Sequence, residues 1–256
     1  MQRTQIIPRF VTTVIRGILH VLCRIDAREL EKLPRRGPYL IVVNHVNFLE
    51  VPILHIFIQR RVQPRRACSF IKSETWSNPF LRYLAGIWHA IPLRRGAADL
   101  SAFQAAREVF RRGDILMIAP EGTRTGNGVL RRGHPGAVLL ATKNDVPIYP
   151  VAHLGGHRLY ENLRRLRRTP FTLSVGAPFY VEVPENGTLR RSLRREVSDE
   201  MMGRLAVLLP PVYRGEYRAA AENEPRHLRF DLDPSKKGKK YSTNRVTDII
   251  LTKVKL

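Results

Sequence analysis

Short runs of β-branched and aliphatic residues alternate along this chain with segments of helical period, and that alternation restricts it to a sheet with helices packed on its faces. The runs at 39–43, 67–71, 87–93, 115–118, 148–152 and 171–175 read as strands. Between them, apolar residues three and four apart predict helices over 49–59, 79–84, 99–111 and 135–143, with stops near Gly113 and Asn144. A last long helix is predicted over 189–208, ended by Pro210 and Pro211. At 256 residues and 43% hydrophobic, the chain can bury one substantial core. The expected fold class is therefore α/β, a central mostly parallel or mixed sheet flanked by helices.

Two segments stand apart from that core. Over 6–22, Ile6, Phe10, Val14, Ile18 and Leu22 share the stripe of an amphipathic helix whose other face carries Arg9, Thr13, Arg16 and His20. Such a helix can dock on its own protein, lie in a bilayer interface, or do both. Beyond Tyr213 the periodicity fades and Lys236, Lys237, Lys239 and Lys240 gather, which reads as a basic extension outside the core. The expected division is an amino-terminal amphipathic, membrane-associating helix (1–30), a catalytic domain (31–211) and a basic carboxyl-terminal extension (212–256).

Charge narrows the partners. With 44 Lys and Arg against 22 Asp and Glu, the net charge of +22 calls for a polyanion, whether an anionic bilayer, a phosphorylated substrate or nucleic acid. No window of about 18 residues escapes charge, so a bilayer-spanning helix is not expected. The longest runs free of Lys, Arg, Asp and Glu are 37–49 and 169–181. Arginines interrupt the amino-terminal apolar residues, unlike a cleaved leader. Cys23 and Cys68 form no CxxC and no disulfide framework, which suits a reducing compartment.

Chemistry gathers where strands are predicted to end. Asn44, His45 and Glu50 follow the strand at 39–43. A carboxylate five residues after a histidine lies off its helical face, so the two meet only if the chain turns between strand and helix. Glu50 would then fix one ring nitrogen of His45 and leave the other basic, although a structural pair is the commoner reading of such residues. The strand at 115–118 runs into Pro-Glu-Gly-Thr-Arg at 120–124. There Gly122 permits close backbone approach, and Arg124 offers a planar fork of donors suited to phosphate. Arg94 and Arg95 end another strand, and Val-Pro-Ile-Tyr-Pro-Val at 146–151 is an apolar segment able to line a pocket.

These four segments, in this order, resemble the four motifs of the glycerolipid acyltransferases, the family of 1-acyl-sn-glycerol-3-phosphate acyltransferase, over about 37–178. The family's Asn-His…Asp motif is matched by Asn44, His45 and Glu50, with Glu in place of Asp on a stem one methylene longer. Its phosphate-binding Arg is matched by Arg95, its Pro-Glu-Gly-Thr-Arg motif is complete at 120–124, and its apolar-Pro motif is matched at 146–150. The resemblance implies His45 as general base with Glu50 beside it, and Asn44, Arg94, Arg95, Glu121, Gly122, Thr123 and Arg124 at the substrate. It further implies acyl-CoA or acyl carrier protein as donor, and lysophosphatidate or a related lysophospholipid as acceptor, with glycerol 3-phosphate as an alternative. The place of action would be the cytoplasmic face of a membrane, held peripherally or monotopically on an anionic surface. No metal or other cofactor is expected.

Rival readings find less in the residues. A serine hydrolase would need a Gly-x-Ser-x-Gly elbow, which does not occur. His153 and His157 have the spacing of helical metal ligands, but Gly155 and Gly156 between them oppose a helix. His55 and His89 read as structural. Arg164, Arg165, Arg167 and Arg168 allow a basic binding module, but no nucleic-acid recognition motif accompanies them, so a nucleic-acid partner is not expected.

Overall fold

Seven strands form the centre of the computed structural model, which describes residues 3–93, 100–183 and 189–232. Helix α1 (Arg3–Leu22) leads into β1 (Cys23–Asp26), followed by β2 (Tyr39–Val43), α2 (Glu50–Val62), β3 (Ala67–Lys72), α3 (Pro79–Ile87) and β4 (Ala90–Leu93). Then come α4 (Leu100–Arg111), β5 (Ile115–Ile118), α5 (Gly136–Asn144), β6 (Ile148–Leu154), α6 (Leu159–Arg164) and β7 (Thr169–Val175). The described chain closes with β8 (Tyr180–Val181), α7 (Arg191–Ala206), α8 (Arg218–Glu222) and β9 (Leu228–Arg229).

The sheet order is β1-β7-β6-β2-β5-β3-β4. Strands β6, β2, β5, β3 and β4 run parallel, while β7 pairs antiparallel with β6 and carries β1 parallel to itself. All five residues of β2 are buried because both faces of the sheet are covered, which explains its unbroken apolar sequence. Tyr39, Ile41 and Val43 face a core that includes Leu19 of α1 and Ile53 and Ile58 of α2. Leu40 and Val42 face a second core built from α4, α5 and α7. In α7, Val197, Met201 and Leu205 recur every four residues and are completely buried. Such burial contributes about 1.5–3 kcal/mol per side chain.

This topology positions the site. Adjacent strands β2 and β5 send their following helices, α2 and α5, to opposite faces of the sheet. The chain therefore parts at their carboxyl ends, which is the usual binding place in open α/β sheets. The parallel strands put the ends of β3, β4 and β6 on that same edge.

Three expectations need correction. The strand expected from residue 87 begins at Ala90, because Ile87 closes α3 and His89 turns the chain with φ +51°. The four-residue β1, too short and polar to stand out, was not expected at all. Nor does the chain leave the core at Tyr213: Tyr217 and Leu228 are buried in it, and the Tyr217 hydroxyl accepts from the Gly133 amide at 2.9 Å. The lysines at 236–240 lie outside the described residues.

Candidate active site

His45 leaves the carboxyl end of β2, and the chain turns at once so that Glu50, the first residue of α2, reaches back to it. The Glu50 carboxylate bonds His45 Nδ1. It also accepts from the Val46 amide at 2.9 and 3.0 Å and from the Asn47 amide at 2.9 Å. The glutamate thus folds the turn that carries its own histidine. Its side chain is 1% exposed and that of His45 is 26% exposed, so the carboxylate is sealed while one edge of the imidazole stays open. Burial pushes the Glu50 carboxyl up, but the His153 imidazole 3.1 Å away and the bond to His45 outweigh it and hold the carboxyl well below the usual carboxylate range. An ionised carboxylate only accepts, so Nδ1 of His45 carries a proton and Nε2 is the nitrogen left for another partner.

The neighbours of this pair are fixed from β6. Asn44 Nδ2 donates to the His153 carbonyl at 3.0 Å, and the His153 amide donates to Asn44 Oδ1 at 2.9 Å. Asn44 was expected at the substrate, but its amide group is occupied by this two-way link and is buried, so it positions β2 against β6 instead. His153 Nε2 faces two acceptors, the Asn44 carbonyl at 2.8 Å and Glu50 Oε2 at 3.1 Å, and therefore carries a proton. Its ring stacks on Phe171 at 5.2 Å. Asn47 closes the same frame, donating to the Gly156 carbonyl at 2.7 Å and accepting from the Leu49 amide at 2.9 Å. Gly155 makes the tight exit from β6 possible: its φ is +107°, and a Cβ there would stand 1.8 Å from the Pro170 carbonyl oxygen.

The 120–126 loop lies along the His45 turn. The Thr125 and Gly126 amides donate to the His45 and Val46 carbonyls, both at 2.9 Å. Glu121 is buried and bridges two segments, accepting from the His45 amide at 2.7 Å and the Arg131 amide at 2.8 Å. Burial raises its carboxyl despite those bonds. Its oxygens hold the loop against His45, which is shaping of the site and not direct reach to a ligand. Gly122 has φ +64°, and a Cβ would meet the His134 ring at 3.2 Å. Thr123 is half-buried, and Arg124 is exposed and pairs with no carboxylate among the described residues. Arg94 and Arg95 lie outside the described residues.

The structure therefore brings together Asn44, His45, Glu50 and the whole 121–124 loop. Two residues essential to the frame escaped sequence reasoning, Asn47 and His153. Asn47 had a signal, since Asn two residues before a helix start forms local turns of this kind. His153 had none in the sequence, because Asn44, which its ring contacts, is 109 positions away. His157, set aside with His153 as a metal ligand, bonds the Tyr213 hydroxyl at 2.8 Å. His55 is fully buried against Trp88 with Ser69 on its Nε2 at 2.9 Å, which makes it structural as expected.

Chemically, the arrangement offers a partly exposed imidazole held by a buried carboxylate, with a guanidinium that pairs with no carboxylate among the described residues on the loop beside it. A model of the acyltransferase family matches residues 24–154, more than half of the 256. A 1-acyl-sn-glycerol-3-phosphate acyltransferase of Bacillus subtilis is 26% identical over 176 residues, 67% of this chain and 82% of that protein. A lyso-ornithine lipid O-acyltransferase of Pseudomonas aeruginosa is 29% identical over 186 residues, 67% of this chain and 69% of that protein. Other curated relatives are spanned over about half of their length. Among solved structures, the 1-acyl-sn-glycerophosphate acyltransferase PlsC of Thermotoga maritima superposes with a TM-score of 0.54 at 20% identity, covering 78% of this chain and 80% of that one, a likeness of fold.

Proposed function

The chain belongs to the acyltransferase family, and from that premise we propose that it moves a fatty acyl group from acyl-CoA or acyl carrier protein to a lysophospholipid hydroxyl. The observation that carries this reading is the pairing of a half-open His45 with a sealed, ionised Glu50. In the proposed reaction, His45 Nε2 takes the acceptor hydroxyl proton as that oxygen attacks the thioester carbonyl carbon. A C–O bond forms, the C–S bond breaks, and the imidazolium returns its proton to the departing thiolate. Glu50 stabilises the imidazolium and holds the productive tautomer. A thioester is already activated, so general base catalysis and the positioning of two substrates are sufficient chemistry.

For the acceptor we infer 1-acylglycerol 3-phosphate, giving phosphatidic acid. Arg124, exposed beside the His45 turn, is suited to its phosphate, with Arg94 and Arg95 as proposed partners. Glycerol 3-phosphate and other lysophospholipids are the alternatives, and the name of the Pseudomonas relative adds a lyso-ornithine lipid. No helix among the described residues is long and apolar enough to cross a membrane. Peripheral docking on the cytoplasmic face, in part through α1, is the corresponding proposal for location.

The test is thiol release from acyl-CoA by the purified protein with a panel of acceptors in mixed micelles. Release should require a lysophospholipid and run fastest with 1-acylglycerol 3-phosphate. Arg124→Ala should raise the acceptor KM more than the donor KM. Release indifferent to acceptor would mark a thioesterase and sink the reading, while preference for lyso-ornithine lipid would move the acceptor and keep the chemistry.

A further inference from the structure

The connection between β6 and β7 contains a leucine that nothing in the fold explains. Helix α6 ends in a Schellman motif: the Leu166 amide donates to the Leu163 carbonyl at 3.1 Å, and the Arg167 amide to the Asn162 carbonyl at 2.8 Å. That geometry needs a left-handed residue after the cap, normally glycine, yet Leu166 occupies it with φ +52°. Its side chain is 94% exposed, more than any other large apolar residue among those described. A strained conformation that buries nothing points outward for its reason. Tyr160 and Leu163, at three-residue steps before it, are also exposed, at 56% and 48%. Arg164 and Arg167 flank them and pair with no carboxylate among the described residues.

The placement of this patch gives it a direction. Because β6 runs parallel to β2, the patch follows the carboxyl end of β6 on the edge where His45 opens. Asn47 binds that turn to Gly156, three residues before α6. The exit of α1 reaches the same edge, since Arg168 donates to the Cys23 carbonyl at 2.8 Å and Cys23 pairs with Thr169. Val21, the last exposed member of the α1 stripe, is 71% exposed there.

We propose that the β6–β7 connection is a second bilayer contact, in which Tyr160, Leu163 and Leu166 enter the interface of an anionic membrane while Arg164 and Arg167 meet its phosphates. It holds the His45 edge against the lipid surface. Anionic lipid is the occupant because the apolar tips are collared by unpaired arginines on a chain of net charge +22. The proposal rests on the lipid-acceptor reading above.

The experiment uses the full chain, with cosedimentation on zwitterionic and anionic vesicles alongside thermal unfolding. Leu166→Gly relieves the left-handed strain, so its Tm should stay level or rise while the fraction bound to anionic vesicles falls, with affinity reduced about tenfold. Arg164→Gln combined with Arg167→Gln should reduce the preference for anionic over zwitterionic vesicles by about tenfold. Turnover of short-chain, water-soluble substrates should match the parent in both variants. Unchanged vesicle binding by Leu166→Gly would overturn the proposal, as would a dimer that this variant dissolves with vesicle binding intact. A parent without acceptor-dependent turnover but with Leu166-dependent vesicle binding would instead sink the acyl-transfer reading and leave the contact standing.

Discussion

At the scale of residues, the proposed chemistry turns on what the Glu50 carboxylate can do. Glu50 bonds His45 and two backbone amides from the first position of α2, so its charge is the requirement and its reach has local support. Glu50→Gln removes the acceptor charge and invites the wrong histidine tautomer. It should therefore lower single-turnover acyl transfer by at least about a hundredfold, whereas Glu50→Asp keeps measurable activity. Equal rates for Gln and wild type would make Glu50 a bystander. The same carboxyl is also linked to stability. Its folded pKa lies below the ordinary 4.5, so its contribution is fully present above pH 4.5 and is lost as pH falls toward about 2. Thermal unfolding followed across that acid range should show a shallower loss of Tm for Glu50→Gln than for wild type. The His45–Glu50 pair was legible from its place at a strand end. Asn44 was legible as a site residue but not in its role, because its link to the His153 backbone depends on which strands are neighbours.

Among the elements, α1 has two apolar faces with separate uses. Leu19 is 2% exposed against the core, with Ile15 and Leu22 beside it, whereas Phe10, Val14, Ile18 and Val21 form an outward stripe. Removing the whole segment through Arg24 would strip Leu19 and Cys23 from the core and β1 from β7, so it confounds docking with stability. Substitution on one face separates them. Phe10→Ser with Val14→Ser and Ile18→Ser should lower vesicle cosedimentation and leave Tm within a few degrees, because the described side chains there bury little. Leu19→Ala should cost about 2–5 kcal/mol in urea unfolding. The opposite pattern would place the outward stripe in protein packing. Sequence periodicity found this helix but merged its faces, since a stripe wide enough for two contacts has the same period as one.

Across the whole molecule, the parallel strands and their crossover helices were readable because buried strands are apolar throughout and helices keep their own period. The pieces missed were those too short for a period: β1, α6, and the segment around Tyr217 and Leu228 that returns to the core. Strand order was not readable either, and it is the order that matters, for β5 beside β2 lets two chain-distant loops meet. The proposed function draws on that meeting, with His45 from one loop, Glu50 from the next helix and Glu121 pinning the second loop. The most direct measurement is therefore acceptor-dependent acyl transfer in a single turnover, comparing wild type with His45→Ala of unchanged Tm. Loss of a general base should slow the transfer by about a hundredfold to ten-thousandfold. A folded His45→Ala protein that transfers acyl groups at a near wild-type rate would contradict the role given to His45.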